Sequence, residues 1–351
     1  MVKNMKKSSY CIPLLAAFLL FACEQEPKYP LASWYSYKGG KDANSYSPLT
    51  QINRDNVHLL EVAWTFSATD STGEEKGRIE CNPLIVGRQM YLLSPNLKLY
   101  AIDAATAEEI WMFDPYAGTQ GAGLSRGIAY WEEEEEARIL FSAGKDLFSI
   151  DARTGLPDSV FGDGGKVNLN YGLGRDPASL SVSATSPGIV HKNLLIMGST
   201  TGEGYDAAPG HVRAYDIRSG KIAWTFHTIP QPGEFGYETW PPDAYQRLGG
   251  ANVWGGLSLD EEREIVYLPT GSAAYDFYGG NREGENLFAN CIIALDANTG
   301  ERLWHFQTVH HDLWDYDLPC PPNLLTLEKE GEKIHALAQV SKNGFVYVLD
   351  R

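Results

Sequence analysis

The densest concentration of reactive side chains is His310-His311-Asp312-Leu313-Trp314-Asp315-Tyr316-Asp317. Three carboxylates, two imidazoles and two aromatic rings crowd into eight residues. Burying such a stretch is costly, because each charge taken out of water needs a compensating partner. It is either a reactive or binding site or a polar loop knit by its own hydrogen bonds. Residue types alone leave both readings open. A cation, Lys342, follows 27 residues after Asp315, in Val340-Ser341-Lys342-Asn343-Gly344.

The elements around these residues form a repeat. Ala101-Ile102-Asp103-Ala104-Ala105-Thr106-Ala107-Glu108-Glu109-Ile110-Trp111 is one copy, Ala214 to Trp224 another, and Ala294 to Trp304 the clearest. Ser149-Ile150-Asp151-Ala152-Arg153-Thr154-Gly155 is a partial copy without Trp, and Val348-Leu349-Asp350-Arg351 begins one more. In each, the Asp side chain can bond backbone N–H groups of the following turn, and Gly supplies a positive φ. A hairpin results, and the Trp closing the unit can reach a neighbouring unit. Short alternating strands precede the copies, as in Gln89-Met90-Tyr91-Leu92-Leu93. Copies starting at 101, 149, 214, 294 and 348 lie about 50 to 80 residues apart, a spacing that suits four-stranded propeller blades with insertions. The fold class is therefore all-β, a β-propeller, with no long helix. The run Glu132 to Glu136 reads as a solvated loop tip. The last strand, Gly344 to Asp350, stops one residue into a turn, so the chain reads as the front portion of a longer propeller.

Composition agrees. The 351 residues are 43% hydrophobic and 21% charged, enough to build a core and unlike a disordered chain. Thirty-five Gly and nineteen Pro favour turns and strands. A net charge of −16 argues against a nucleic-acid partner, which would need clustered Lys and Arg. Five Cys are too few for a disulfide scaffold, and whether Cys81, Cys291 or Cys320 pair stays open. Residues 1–22 read as a secretory signal, with Lys3, Lys6 and Lys7 before an apolar run too short to span a bilayer. Leu20-Phe21-Ala22-Cys23 looks like a bacterial lipobox. Cys23 would carry the acyl chains, residues 23–33 would be the tether, and 34–351 the propeller. Such an anchor places a soluble domain at a membrane of the cell envelope, facing the periplasm or the outer surface.

On these residues the sequence resembles the pyrroloquinoline quinone (PQQ)-dependent dehydrogenases, quinoproteins built as eight-bladed propellers with tryptophan-docking repeats. The match opens at Trp34-Tyr35-Ser36-Tyr37-Lys38-Gly39-Gly40 and runs to Arg351. The HHDLWDYD stretch is more similar to the glucose, polyol and quinate dehydrogenase branch than to the methanol branch. The resemblance implies PQQ and Ca²⁺ as cofactors, an alcohol group of a sugar, polyol or cyclitol as substrate, and a quinone or cytochrome c as electron acceptor. It also covers only about half of a full-length member.

Site roles follow from local matches. Glu203, closing Gly198-Ser199-Thr200-Thr201-Gly202-Glu203, matches a family calcium ligand, as suits an ion that takes six to eight oxygens. Asp315 matches the general base that takes the hydroxyl proton, and it also stands beside the calcium. Lys342 matches the cation beside the quinone oxygens. Trp254, in Asn252-Val253-Trp254-Gly255-Gly256, resembles the aromatic floor under PQQ. Arg126, in Ser125-Arg126-Gly127, matches the guanidinium that binds PQQ carboxylates. Glu80 and Thr185 match positions that hydrogen-bond the cofactor. The chain departs from the methanol branch in lacking a vicinal Cys pair before Arg126, and in placing Ser272-Ala273-Ala274 where that branch has a calcium-binding Asn. No CxxCH haem motif occurs in it. A second reading is a non-catalytic propeller lipoprotein that acts as an envelope assembly scaffold. Such a protein is not expected to keep Glu203, Trp254, Asp315 and Lys342 together.

Overall fold

The computed structural model describes residues 33–68, 78–119, 121 and 123–351. The signal segment, Cys23 and the tether up to residue 32 lie outside the described residues. Among the described residues, nineteen strands form five antiparallel sheets in chain order. The first holds β1 (Leu84–Val86), β2 (Gln89–Leu93), β3 (Leu99–Asp103) and β4 (Glu109–Phe113). The second holds β5 (Ala129–Glu133), β6 (Glu136–Ala143), β7 (Asp146–Asp151) and β8 (Lys166–Asn168). The third holds β9 (Ile189–His191), β10 (Leu194–Met197), β11 (Val212–Asp216) and β12 (Ile222–Phe226). The fourth holds β13 (Ser258–Asp260), β14 (Ile265–Pro269), β15 (Cys291–Asp296) and β16 (Arg302–Gln307). The fifth has three strands, β17 (Asn323–Lys329), β18 (Glu332–Val340) and β19 (Val346–Asp350). The only α-helix among the described residues is one turn, Ala244–Arg247.

Each sheet is a meander, and the first strands touch in succession: β5 meets β9, β9 meets β13, and β13 meets β17. These are propeller blades with their first strands innermost. Successive residues of a strand point to opposite faces, so one strand serves two cores. Ile139 packs toward the first sheet while Leu140 packs toward the third. Val266 and Leu268 face the third sheet while Tyr267 faces the fifth. Burial on both faces explains the nearly continuous apolar runs.

The Asp-led repeat is the third-to-fourth-strand turn. Asp103, Asp151, Asp216 and Asp296 each accept backbone N–H bonds at 2.8–3.0 Å. The residue four positions on has positive φ in all four: Ala107, Gly155, Gly220 and Gly300. The Trp of one blade then docks on the next. Trp111 Nε1 donates to the Ala152 carbonyl at 3.1 Å, and Trp224 Nε1 to that of Ala297 at 3.3 Å. A Cβ on Gly155 or Gly300 would come within 2.7 or 2.5 Å of those rings, so glycine is needed twice over. Where the partial copy lacks its Trp, Val167 covers Gly220 and Arg138 donates to the Ile217 carbonyl at 2.7 Å.

Two details complete the sequence reading. The acidic run at 132–136 forms the β5–β6 hairpin, whose tip, residues 133–136, is exposed to solvent as the sequence suggested. Glu133 and Glu136 pair with Arg218 of the next blade at 2.7 and 3.2 Å, the cation supplying the charge partner. Cys81, Cys291 and Cys320 are all free thiols.

Candidate active site

In a meander, the start of the first strand and the end of the second lie at the same end of the blade. The predicted residues occupy these two kinds of position. Arg126, Thr185 and Trp254 precede β5, β9 and β13, and Asp315 precedes β17. Glu203 follows β10 and Lys342 follows β18. Antiparallel topology alone therefore gathers residues more than 200 positions apart at one mouth. Arg126, Thr185, Glu203, Trp254, Asp315 and Lys342 line a single cavity of about 340 Å³. Glu80 is outside that lining; it stands behind Arg126, with Glu80 Oε2 3.9 Å from Nε. A cavity of about 370 Å³ at the opposite mouth, beside Tyr35, Tyr37 and Trp131, lacks this convergence of acids.

One wall is aromatic and cationic. The Arg126 guanidinium lies 5.3 Å and the Lys342 ammonium 5.6 Å from the Trp254 ring centroid. Arg126 Nη1 donates to Thr185 Oγ1 at 2.7 Å, and that hydroxyl lies 2.9 Å from Thr200 Oγ1. The other wall is acidic. Lys342 Nζ donates to Asp315 Oδ2 at 2.7 Å and to Asp317 Oδ2 at 2.9 Å. Asp317 also accepts from Trp254 Nε1 at 3.0 Å and from the Ser272 backbone N–H at 2.7 Å. It ties the aromatic floor, the fourth-blade loop and the lysine together.

The HHDLWDYD stretch divides into scaffold and site. Asp312, almost fully buried, accepts from Trp314 N at 2.9 Å, Tyr316 N at 2.6 Å and Asn290 Nδ2 at 3.0 Å. Ser272 Oγ also donates to it, and buried Arg282 grips its carbonyl. This knot turns the chain sharply, and Asp315 takes a positive φ of 56° that points it into the cavity. The two histidines do not join it. His310 faces Glu285 at 3.7 Å, and His311 Nδ1 lies 2.8 Å from the Gly284 carbonyl.

Electrostatics follow from the crowding. Burial pushes the Asp315 carboxyl above the usual range; Lys342 pulls it back, Asp317 adds to the rise, and the net shift is upward. Burial opposes charge on Lys342, but its bonds to Asp315 and Asp317 outweigh that and raise its pKa. Asp276, on the same cavity, is pushed up to about 7, first by burial and then by the charges of Asp315, Glu203 and Asp317.

Sequence reasoning missed Asp276, Asp317 and Asp312. Asp317 and Asp312 stood in plain view in the acidic stretch without separate roles. Asp276 carried no local signal, because it lies on a long β14–β15 connection. It lies just beyond Ser272-Ala273-Ala274, which stands where the methanol branch has a calcium-binding Asn, and it adds a carboxylate to that loop. Among the described residues no group of three His, Cys, Asp or Glu could hold a metal ion by itself. Glu203, Asp276, Asp315 and Asp317 nevertheless share one cavity with two cations, a hard-oxygen donor set. It fits Ca²⁺ if a bound cofactor contributes further oxygens. The flat indole, the guanidinium fork and the ammonium fit a planar polycarboxylate.

Comparison with known proteins agrees with this geometry. Residues 34–351 match the family model of the PQQ glucose/ethanol/alcohol dehydrogenase β-propeller domain. Quinoprotein glucose dehydrogenase of Escherichia coli K12 is 33% identical over 91% of the chain and 42% of its own length. Quinate/shikimate dehydrogenase (quinone) of Acinetobacter baylyi is 31% identical over 93% of the chain and 44% of its own length. The solved quinohemoprotein alcohol dehydrogenase of Pseudomonas putida HK5 superposes with a TM-score of 0.78 at 30% identity, covering 92% of this chain and 46% of that one. The chain thus spans less than half the length of these relatives. With a matching family model over nearly all of its described residues and the same blades in a solved relative, the chain belongs to the PQQ-dependent dehydrogenase β-propeller family.

Proposed function

We propose that the whole protein is an envelope quinoprotein dehydrogenase that oxidises an alcohol group of a sugar, polyol or cyclitol. Cys23 would anchor it by lipid at a membrane, and a quinone or cytochrome c would take its electrons. The observation that carries the reading is the convergence of Trp254, Arg126, Lys342 and four carboxylates on one cavity.

In that reading Trp254 offers the floor for PQQ, Arg126 meets its carboxylates, and Glu203 with Asp315 holds Ca²⁺. Bound PQQ supplies the two-electron oxidant that accepts the substrate's hydride. The chain's own part is proton handling and positioning. Asp315 takes the hydroxyl proton, and Lys342, 2.7 Å away, favours the charged form that can accept it. Asp317 keeps Lys342 and the Trp254 edge in register. Asp312 and Arg282 hold the turn that presents Asp315.

The test is reconstitution of the full-length protein with PQQ, with and without Ca²⁺. Dye-linked alcohol oxidation is expected only with both, and EDTA should reverse it. Asp315→Asn should retain PQQ while turnover falls about 10²–10⁴-fold, the usual worth of general-base assistance. Alcohol oxidation that persists without PQQ, or none under any loading, would overturn the reading.

A further inference from the structure

Asp276 differs from every other acid on the cavity. It is only 8% exposed, yet no hydrogen bond or ion pair among the described residues reaches its carboxyl. Asp312 has its N–H and hydroxyl donors, Asp317 has three, and Asp315 has Lys342. Glu203 is exposed to solvent. Arg282, whose charge acts on Asp276, gives its Nη1 to Asn286 and its Nη2 to the carbonyls of Tyr275 and Asp312, and its buried Nε has no hydrogen-bond partner. The loop that carries the carboxyl is tied down. Tyr275 beside it stacks on Tyr205 at 5.3 Å between centroids, and the loop returns to the blade through Asn286 and Asn290. With no donor from the protein, the carboxyl opens onto the cavity, where it presents a free acceptor to whatever binds there.

The donor's chemistry is constrained. In the dehydrogenase reading Ca²⁺ falls to Glu203 and Asp315, and a cation on Asp276 is one outcome of the test below. The cavity's ammonium and guanidinium are already engaged with Asp315, Asp317 and Thr185. A neutral hydroxyl remains, and Asp276 shares the cavity with Asp315, the residue that would meet the reacting hydroxyl. We propose that Asp276 is a specificity-determining residue, its carboxyl binding a second hydroxyl of a polyhydroxylated substrate whose reacting hydroxyl faces Asp315. This rests on the dehydrogenase reading above. A mono-alcohol would enter the same cavity and leave Asp276 unpaired. Sites built to bond a substrate hydroxyl discriminate strongly against analogues that lack it, here by on the order of 10²-fold in kcat/KM.

The test compares 1,2-propanediol with 1-propanol, and glycerol with 1-propanol, on full-length protein loaded with PQQ and Ca²⁺. Asp276→Leu removes the acceptor at similar size, and Asp276→Asn keeps a weaker one. The diol-to-mono-alcohol ratio of kcat/KM is expected to fall about 100-fold in Asp276→Leu and less in Asp276→Asn. Should the Leu variant not fold, a fall of at least fivefold in the Asn variant supports the assignment and a smaller one overturns it. Ca²⁺ and PQQ affinities, read by tryptophan fluorescence titration, should move less than threefold. Equal loss on both alcohol classes, or a tenfold loss of Ca²⁺ affinity, would overturn the assignment and make Asp276 a general or cation-binding group. An unsubstituted protein that oxidises no sugar, polyol, cyclitol or mono-alcohol under any loading would instead bring down the dehydrogenase reading, and this one with it.

Discussion

Replacing Asp317 by Asn tests whether the cavity floor is held by an acceptor-only group. The carboxylate is 7% exposed, and both oxygens face donors. Oδ1 takes the Ser272 N–H at 2.7 Å; Oδ2 takes Trp254 Nε1 at 3.0 Å and Lys342 Nζ at 2.9 Å. An amide cannot satisfy this arrangement in either orientation. If its oxygen stays with Trp254 and Lys342, its NH₂ opposes the Ser272 N–H; if it flips, the NH₂ opposes the indole and the ammonium. One buried donor is orphaned at about 1–3 kcal/mol, and the bond to Lys342 loses its second charge. The sum is about 3 kcal/mol, or roughly 100-fold in any equilibrium that needs the floor intact. In the full-length protein, PQQ affinity measured by quenching of tryptophan fluorescence should fall by about that factor. Trp254→Phe is the milder control, because it removes a donor and leaves Asp317 with two others. Asp317→Asn with PQQ affinity within threefold of the unsubstituted protein would refute the reasoning.

The blade junctions make an independent prediction. Trp224→Ala should cost about 3–5 kcal/mol in urea unfolding, the usual toll for removing a buried large aromatic, whereas Val167→Ala at the junction without a docking Trp should cost under half of that. The pH dependence of the cofactor-free protein should carry the mark of Asp276. Its pKa of about 7 lies above the unfolded value, so the folded state keeps a proton that the unfolded chain releases. That stability contribution is complete below about pH 4 and is lost as pH rises toward and through 7, by at most about 4 kcal/mol. Asp276→Asn should flatten that part of a chemical-denaturation profile, and an unchanged slope would refute the assignment. At the N-terminus, Cys23→Ala should leave an uncleaved or unlipidated precursor, and its normal maturation to a membrane-bound form would count against lipid anchoring.

The fold was largely legible because its rule is local. An Asp followed four residues later by a positive-φ position, then a Trp, specifies a turn and a docking contact within one unit. Gly300 shows how tightly that is encoded, since both its φ and the Trp224 ring exclude a side chain. Trp254, Arg126, Asp315 and Lys342 were legible through their short neighbouring motifs. Asp317 and Asp276 were not, because what defines them is a meeting of loops from different blades. Nothing within five residues of Asp317 reveals that Trp254 and Ser272 will donate to it. The histidines misled for the converse reason: adjacency in sequence to Asp312 did not carry them to the cavity side of a sharp turn.

The uneven spacing of the repeat also has a structural cause. At the mouth of the first two blades the second-to-third-strand connections are short, Ser94–Lys98 and Gly144–Lys145. In the third and fourth blades they lengthen to residues 198–211 and 270–290. Those two insertions carry Thr200, Glu203, Ser272 and Asp276, four of the residues that build the cavity wall. The opposite ends keep the compact Asp turn, because there the Trp must seat on the next blade. One end of each blade is thus committed to holding neighbours together, and the other is free to vary. The widest intervals between repeats, those before Asp216 and Asp296, are the ones whose loops reach the cavity. In this architecture, an interval longer than a bare blade requires marks where chemistry has been added, and Asp276 lies in the longest of them.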